Sequence, residues 1–595
     1  MYLMCYAHTR TKHLLFKPNI HDLIYKVKYN EVKAMNLLGK GNNPKFWSED
    51  VRNKACFEDY RSFLNEKWEK LCVGDKLDAL KYTEFRLYGL TGNRTVFQAP
   101  YYRNRVQMEV AAVLALVYPE EEKYLEYAMD KIFAVCNEYS WSIPAHIPRS
   151  IEVVNRTHLD LFACETAYTL AEIYTLLEDR LDPLIKERIK AEIKWRVIDS
   201  FVNVKTWGWA TTNKANWAAV CSGSVGCTLM LLFPDMYYEL KPRLDFAIEN
   251  FLLGYKDDGF CGEGTHYWHY GFGFFCAYAD MLRTFSSGEY NYFERPKVHA
   301  IATFIQKMFL SGNNGVSFSD GTDELDYHIG LLHFLKNEYP DVVIYSPKYS
   351  YILDVCGRFN WLVRGATWFD EDIYYNPAED NASAEYYGAD TQWLIKRTEN
   401  YGFAAKAGHN GEEHNQNDVG SFIIAKNGRQ IVTDLGPGVY SQQYFNKETR
   451  YGFIECSSLG HTAPYFGDVI QKFGPEFSSC GTKYENGVFS SDIAGAYGDE
   501  NVKSIVRSFS FTDSTVTLND KFVYTGSEKI TDRIALRVKP TLDGNKVTAG
   551  ELTISFDSNA ADVCLCEKET SKKTTVYFAD FVLKNGADEL TLIFE

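Results

Sequence analysis

Over the first ~350 residues the apolar positions recur at three- and four-residue steps, the spacing that draws one stripe along a helix. Leu159, Phe162, Ala163, Ala167, Leu170, Ile173 and Leu177 form one such series, and Ile185, Ile189, Ile193 and Val197 another. Short polar breaks separate the series, such as Glu178, Asp179 and Arg180, or the Gly/Asn-rich run from Ser311 to Gly315. The pattern predicts a succession of antiparallel helical hairpins. After about residue 385 the period falls to two. Ser421 to Ala425 and Gln430 to Asp434 flank Asn427 and Gly428, and Asn-Gly is the strongest short hairpin signal. Alternation continues through Thr515 to Leu518, Ile534 to Val538, Leu552 to Phe556 and Thr575 to Leu583. Short strands with Gly, Asn and Asp turns predict an antiparallel β-sandwich.

The expected architecture is therefore an α+β, multidomain chain. A helical domain spans 1–365 and a β-sandwich 366–595, with the crossover inside the turn-rich stretch 346–385. A chain of 595 residues is too long for one compact core, which agrees with two domains. Composition adds one hint. Aromatics make up 15%, with 41 Tyr, 39 Phe and 11 Trp; flat rings stack on sugars, and they also fill cores.

The net charge of −16 argues against an electrostatic grip on nucleic acid or an anionic membrane. No apolar run approaches the ~20 residues of a membrane-spanning helix. The segment from Met1 to Ile20 lacks the basic start and unbroken apolar stretch of a secretory signal. The 14 cysteines are scattered, without a CxxC pair. A cytoplasmic protein is expected, secreted or periplasmic only if a leader has been removed. The sequence is compatible with self-assembly into a homo-oligomer.

Gly-rich phosphate loops, zinc-binding His-Glu-x-x-His helices and Gly-x-Ser-x-Gly elbows are absent from the sequence, so no organic cofactor is expected. Three segments stand out. In the first, Asn213, Lys214, Asn216 and Trp217 open a helix. An amide at a helix N-terminus suits a carboxylate; equally, it serves as a cap beside a core tryptophan. The second runs from Asp257 to Gly273 and crowds His266, Tyr267, His269 and Tyr270 into a loop entering a helix. A tyrosine there could move protons, given positive charge nearby, or pack a core. The third, Glu412 to Asp418, is an unbroken polar run leading into a strand, expensive to bury unless its groups find partners.

Together and in this order these segments, with Thr157 to Phe162, resemble the heparinase II/III-like polysaccharide lyases; the run His414, Asn415, Asn417, Asp418, Val419, Gly420, Ser421, Phe422 is the most specific part. The resemblance covers most of the chain. It implies an (α/α) toroid followed by an antiparallel β-sandwich, and β-elimination at a uronic acid of an anionic polysaccharide, a glycosaminoglycan such as heparan sulfate, hyaluronan or chondroitin first. Asn216 would neutralise the uronate carboxylate, with Asn213 as a second donor. Tyr267 would remove the C5 proton, Tyr270 being the alternative, and His414 would reach the cleft from the sandwich. The family often holds a metal in a His-x-His-x-Asp pattern, where this chain has Gln416 in the second position; with Asp434 and His461 it would hold Zn²⁺ or Mn²⁺ in a structural role. A polyanion in an acidic protein requires a basic groove, for which Arg103, Arg105, Arg149, Lys214 and Arg450 are candidates. The alternatives are a glycoside hydrolase of acidic or unsaturated oligosaccharides, using two of Asp160, Glu165 and Glu263, and a non-catalytic sugar-binding protein.

Overall fold

The computed structural model describes residues 36–74, 79–147, 156–325, 328–345, 355–378 and 383–595. Arg149 and two parts of the expected crossover, 346–354 and 379–382, lie outside them. The helical part is built on α1 (Glu58–Leu71), α2 (Thr95–Val117), α3 (Glu122–Cys136), α4 (Leu161–Leu177), α5 (Pro183–Ile193), α6 (Asn216–Leu232), α7 (Pro234–Gly254), α8 (Gly273–Phe285), α9 (Ile329–Glu338) and α10 (Phe359–Thr367). Both apolar series predicted as helices fall on α4 and α5, the latter continued by a π turn over Lys194–Ile198.

Asp160 begins α4 by accepting from Ala163 N at 2.8 Å, and Asp182 begins α5 by accepting from Leu184 N at 2.8 Å, the local bonds that make Asp a helix opener. α6 is buried on nearly every side and packs against α4, α7 and α8, as a helix apolar all round must. Late in the helical part, α10 returns to lie on α2 and α4. Residue 365 falls inside α10, and the first strand of the sandwich opens at Ala384.

The C-terminal part is built on two antiparallel sheets, eight- and nine-stranded among the described residues, beside a short pairing of His409–Asn410 with Gly474–Ser478. The nine-stranded sheet carries, in spatial order, β9 (Ala561–Glu569), β10 (Thr575–Leu583), β8 (Ile530–Leu536), β5 (Arg429–Val432), β4 (Phe422–Lys426), β3 (Gly402–Lys406), β2 (Trp393–Arg397) and β1 (Ala384–Gly388), with Pro464–Phe466 pairing β8 off this path; β6 (Val502–Phe511) and β7 (Val516–Tyr524) sit side by side in the other. Asn427 and Gly428 join β4 to β5 with both φ positive, +50° and +75°, the turn that Asn-Gly favours.

The Ser311 to Gly315 break is a small hairpin, Phe309–Ser311 with Asn314–Gly315. It docks the helical part onto the sandwich: Arg397 Nη1 donates to Phe309 O at 3.0 Å. Trp393, Ile395, Ala404, Ile423 and Ala425 of the sandwich share one hydrophobic core with the helices. Among the described residues no helix is long and apolar enough to cross a membrane.

Candidate active site

Between α7 and α8 the chain makes a single helical turn, Thr265–Tyr267, then a π turn, Trp268–Phe272. Two glycines set its position. Gly264 has φ +98°, and a side chain there would meet Gly321 N at 2.9 Å and Phe318 O at 3.0 Å, so only glycine lets the 318–321 turn approach Tyr267. A Cβ at Gly271 would meet the Asn216 Cβ at 3.0 Å, which fixes the π turn against the start of α6.

The side chains converge from five segments. Asn216, the first residue of α6 and 2% exposed, donates from Nδ2 to Glu263 Oε2 at 2.9 Å, while its Oδ1 has no partner. His414 enters from the sandwich loop with φ +57°. Its Nδ1 lies 2.7 Å from Asp320 Oδ2 and its Nε2 3.8 Å from Glu263 Oε2. Its ring stacks on Tyr267, centroids 4.1 Å apart. The Tyr267 hydroxyl meets that of Tyr440 at 3.1 Å, and Tyr440 donates to Asp320 Oδ2 at 2.6 Å.

The electrostatics follow from burial and from one ion pair. Burial alone would lower the His414 pKa and raise that of Asp320, but their mutual hydrogen bond and charge win: His414 is raised and Asp320 lowered. Burial lifts Glu263 toward its protonated form, against the His414 charge. Burial also pushes the Tyr267 hydroxyl well up, and the Asp320 charge adds to this. His266 is held down at about 4 by burial and then by Arg358, so it is neutral near pH 7.

Asn216, Tyr267 and His414 are thus brought together. Tyr270 is not with them. It is buried, hydrogen-bonded to Glu165 and covered by the Arg358 guanidinium 4.2 Å from its ring centroid, so its hydroxyl is spent on bracing the helices. Arg105 also leaves the binding set. It is 4% exposed, with a bidentate bond to Glu138 at 3.1 and 2.8 Å and another to Thr166 at 3.0 Å. Arg450 is buried too: Nε donates to Asn415 O at 2.9 Å, holding the His414 loop from beneath. Asn213 spends its Oδ1 on Ala215 N at 2.8 Å, leaving only its amide N–H groups for a ligand. Lys214 is exposed two residues from Asn216, and Arg103 is exposed on α2.

Asp320 and Tyr440 are absent from the sequence-derived set. Each sits in a Gly-containing turn, Ser317 to Gly321 and Gly436 to Tyr440, and no local pattern sets either apart from an ordinary loop residue.

Below His414 lies a second polar cluster, wholly buried. Asp434 Oδ2 faces His461 Nδ1 at 2.9 Å, and His461 Nε2 faces Glu455 O at 3.0 Å. Gln416 turns its Nε2 to Ser319 O and Gly436 O, at 2.6 and 3.0 Å, leaving Oε1 without a partner. Asp418, the third position of the His-x-His-x-Asp pattern, joins this cluster. Its Oδ1 accepts from Lys406 Nζ at 2.7 Å, while Oδ2 is unpartnered.

The carboxylates that a hydrolase would need are dispersed. Asp160 is fully buried as the cap of α4, Glu165 is paired with Arg358 at 3.0 Å, and of the three only Glu263 belongs to this site.

No protein-family model matches the chain, and no curated protein matches it in sequence. In fold the chain is similar to the heparan sulfate lyase HepC from Pedobacter heparinus, at 13% identity over 95% of this chain and 88% of that one, TM-score 0.58. It is similar to Heparinase III, at 12% identity over 93% and 92%, TM-score 0.59. A third likeness is to the chondroitin AC lyase of Streptomyces coelicolor A3, solved in complex with chondroitin sulphate, at 11% identity over 90% and 82%, TM-score 0.50. The likeness is one of fold: a helical N-terminal part and antiparallel C-terminal sheets.

Proposed function

We propose that this chain is a polysaccharide lyase that cleaves a uronic-acid-containing polysaccharide or oligosaccharide by β-elimination, with a glycosaminoglycan as the preferred substrate class. One observation carries the reading: Tyr267 lies against the His414–Asp320 pair in the same site as the Asn216 amide and Glu263. A uronate C5 proton is weakly acidic until its carboxylate is neutralised. Asn216 Nδ2 is a donor suited to that carboxylate, and burial lifts the neighbouring Glu263 toward the protonated form that would add a second. Tyr267 then takes the C5 proton, and the C4–O4 bond breaks. The named substrates of the proteins sharing this fold support the choice of a polyanion.

The test is a panel of uronate polymers. Elimination leaves a conjugated double bond, so ultraviolet absorbance is expected to rise in step with new reducing ends. Reducing ends without absorbance would mean hydrolysis, and neither would mean binding alone.

The second cluster fits a divalent cation in a structural role. If His461 Nε2 donates to the Glu455 carbonyl, Nδ1 turns a lone pair on the Asp434 carboxylate unless a proton or a metal lies between them. Gln416 Oε1 and Asp418 Oδ2 are two further buried acceptors without donors. Gln416, Asp418, Asp434 and His461 would hold Zn²⁺ or Mn²⁺, which supplies charge that ties the His414 loop to the β4–β5 hairpin. Protein purified without chelator is expected to carry about one equivalent of metal by elemental analysis. Chelation should lower the Tm; metal at a hundred times its Kd contributes about 2.7 kcal/mol. Metal-free protein with an unchanged Tm would leave the Lys406–Asp418 pair as the only cation bound there.

A further inference from the structure

Tyr267 poses a problem that its neighbours resolve. A phenol serves as a free base only when ionised, yet burial and the Asp320 charge both hold the Tyr267 proton on. The hydrogen bonds give the direction of that proton. Asp320 Oδ2 takes Tyr440 at 2.6 Å and His414 at 2.7 Å, and an ionised carboxylate only accepts. The single Tyr440 hydrogen is therefore spent on Asp320. In the 3.1 Å contact between the two hydroxyls, Tyr267 must donate, and its lone pairs stay available to a substrate.

Resting on the lyase reading, we infer that Tyr440 is a proton relay: Tyr267 Oη accepts the C5 proton while handing its own to Tyr440 Oη, and Tyr440 hands its own to Asp320 Oδ2. The C5–H electron pair becomes the C4–C5 double bond, the C4–O4 pair leaves with O4, and O4 takes a proton from water. Asp320 later returns its proton to water by the reverse path. No free tyrosinate forms at any point. The relay is enclosed by Tyr444, with its ring centroid 5.5 Å from that of Tyr440, and by Phe445 at 4.8 Å. The charged groups around it are His414 and Arg450, which act on Asp320, and Glu263 and Arg94, which act on Tyr267 in opposite directions. Asp320 Oδ1 is buried and unpartnered, so beside Tyr440 the carboxylate carries the His414 donor on Oδ2 and an open acceptor on Oδ1.

Tyr440 acts through Tyr267, so its test needs a readout that mere positioning would not move. In mixtures of light and heavy water, the wild-type rate is expected to fall along a curve, because more than one exchangeable proton is in flight. Tyr440→Phe keeps the ring. It should lose at least about tenfold in kcat, with KM within about twofold, and its rate should fall along a straight line. Asp320→Asn, close in shape but with no carboxylate to protonate, should give the same straight line. A straight line for the wild type, an unchanged kcat in Tyr440→Phe, or curvature that survives either substitution overturns the relay. The lyase reading fails separately, if the wild type gives no ultraviolet-absorbing product.

Discussion

Tyr267→Phe is expected to fold as the parent does and to lose ~10²–10⁴ in kcat, the range for a lost acid–base group. At 1.36 kcal/mol per factor of ten, that is about 3–5 kcal/mol of transition-state stabilisation. The ring keeps its stack on His414, and the only hydrogen bond removed is the one to Tyr440, worth about 1 kcal/mol. Stability should therefore hardly move. Tyr270→Phe is the control, since it removes a hydroxyl from the buried Glu165–Arg358 network; it should lower the Tm and leave kcat near normal. Parallel single-turnover rates and melting curves separate the two. If Tyr267→Phe turns over like the wild type while Tyr270→Phe does not, the assignment is reversed.

Asn216→Ala should cost ~10²–10³ in kcat, as loss of one preorganised donor does. The substitution retains the Cβ on which Gly271 packs, so the start of α6 and the π turn stay in register. It also frees Glu263 Oε2 from its amide partner. A rise in KM with kcat unchanged would show that Asn216 binds ground state and transition state alike, and would shift carboxylate neutralisation to Glu263.

Much of this was legible along the chain. Period 3.6 marked α4 and α5, period 2 marked the sheet, and Asn427 with Gly428 marked the β4–β5 turn, because each depends on neighbours a few residues away. Asn216, Tyr267 and His414 stood out for the same reason: each sits in a locally unusual polar run. Asp320 and Tyr440 did not, since their meaning arises only when Gly264 lets the 318–321 turn approach Tyr267. The basic residues misled in the same way. Arg105 has the look of a surface cation until Glu138, on another segment, supplies its partner. Asp418 was within reach, as the third position of the pattern from which Gln416 and the metal expectation were drawn.

The shared core between helices and sandwich limits how a polymer can enter. Asn216, Glu263, Tyr267 and Asp320 ride on the helical part, and His414 and Tyr440 on the sandwich, so the site spans the seam. Opening the seam like a jaw would bring Trp393, Ile395 and Ile423 toward water, at about 1.5–3 kcal/mol for each large side chain fully exposed. On the lyase reading, a polymer is therefore expected to reach the site with the seam closed, since a hinge there would uncover this core.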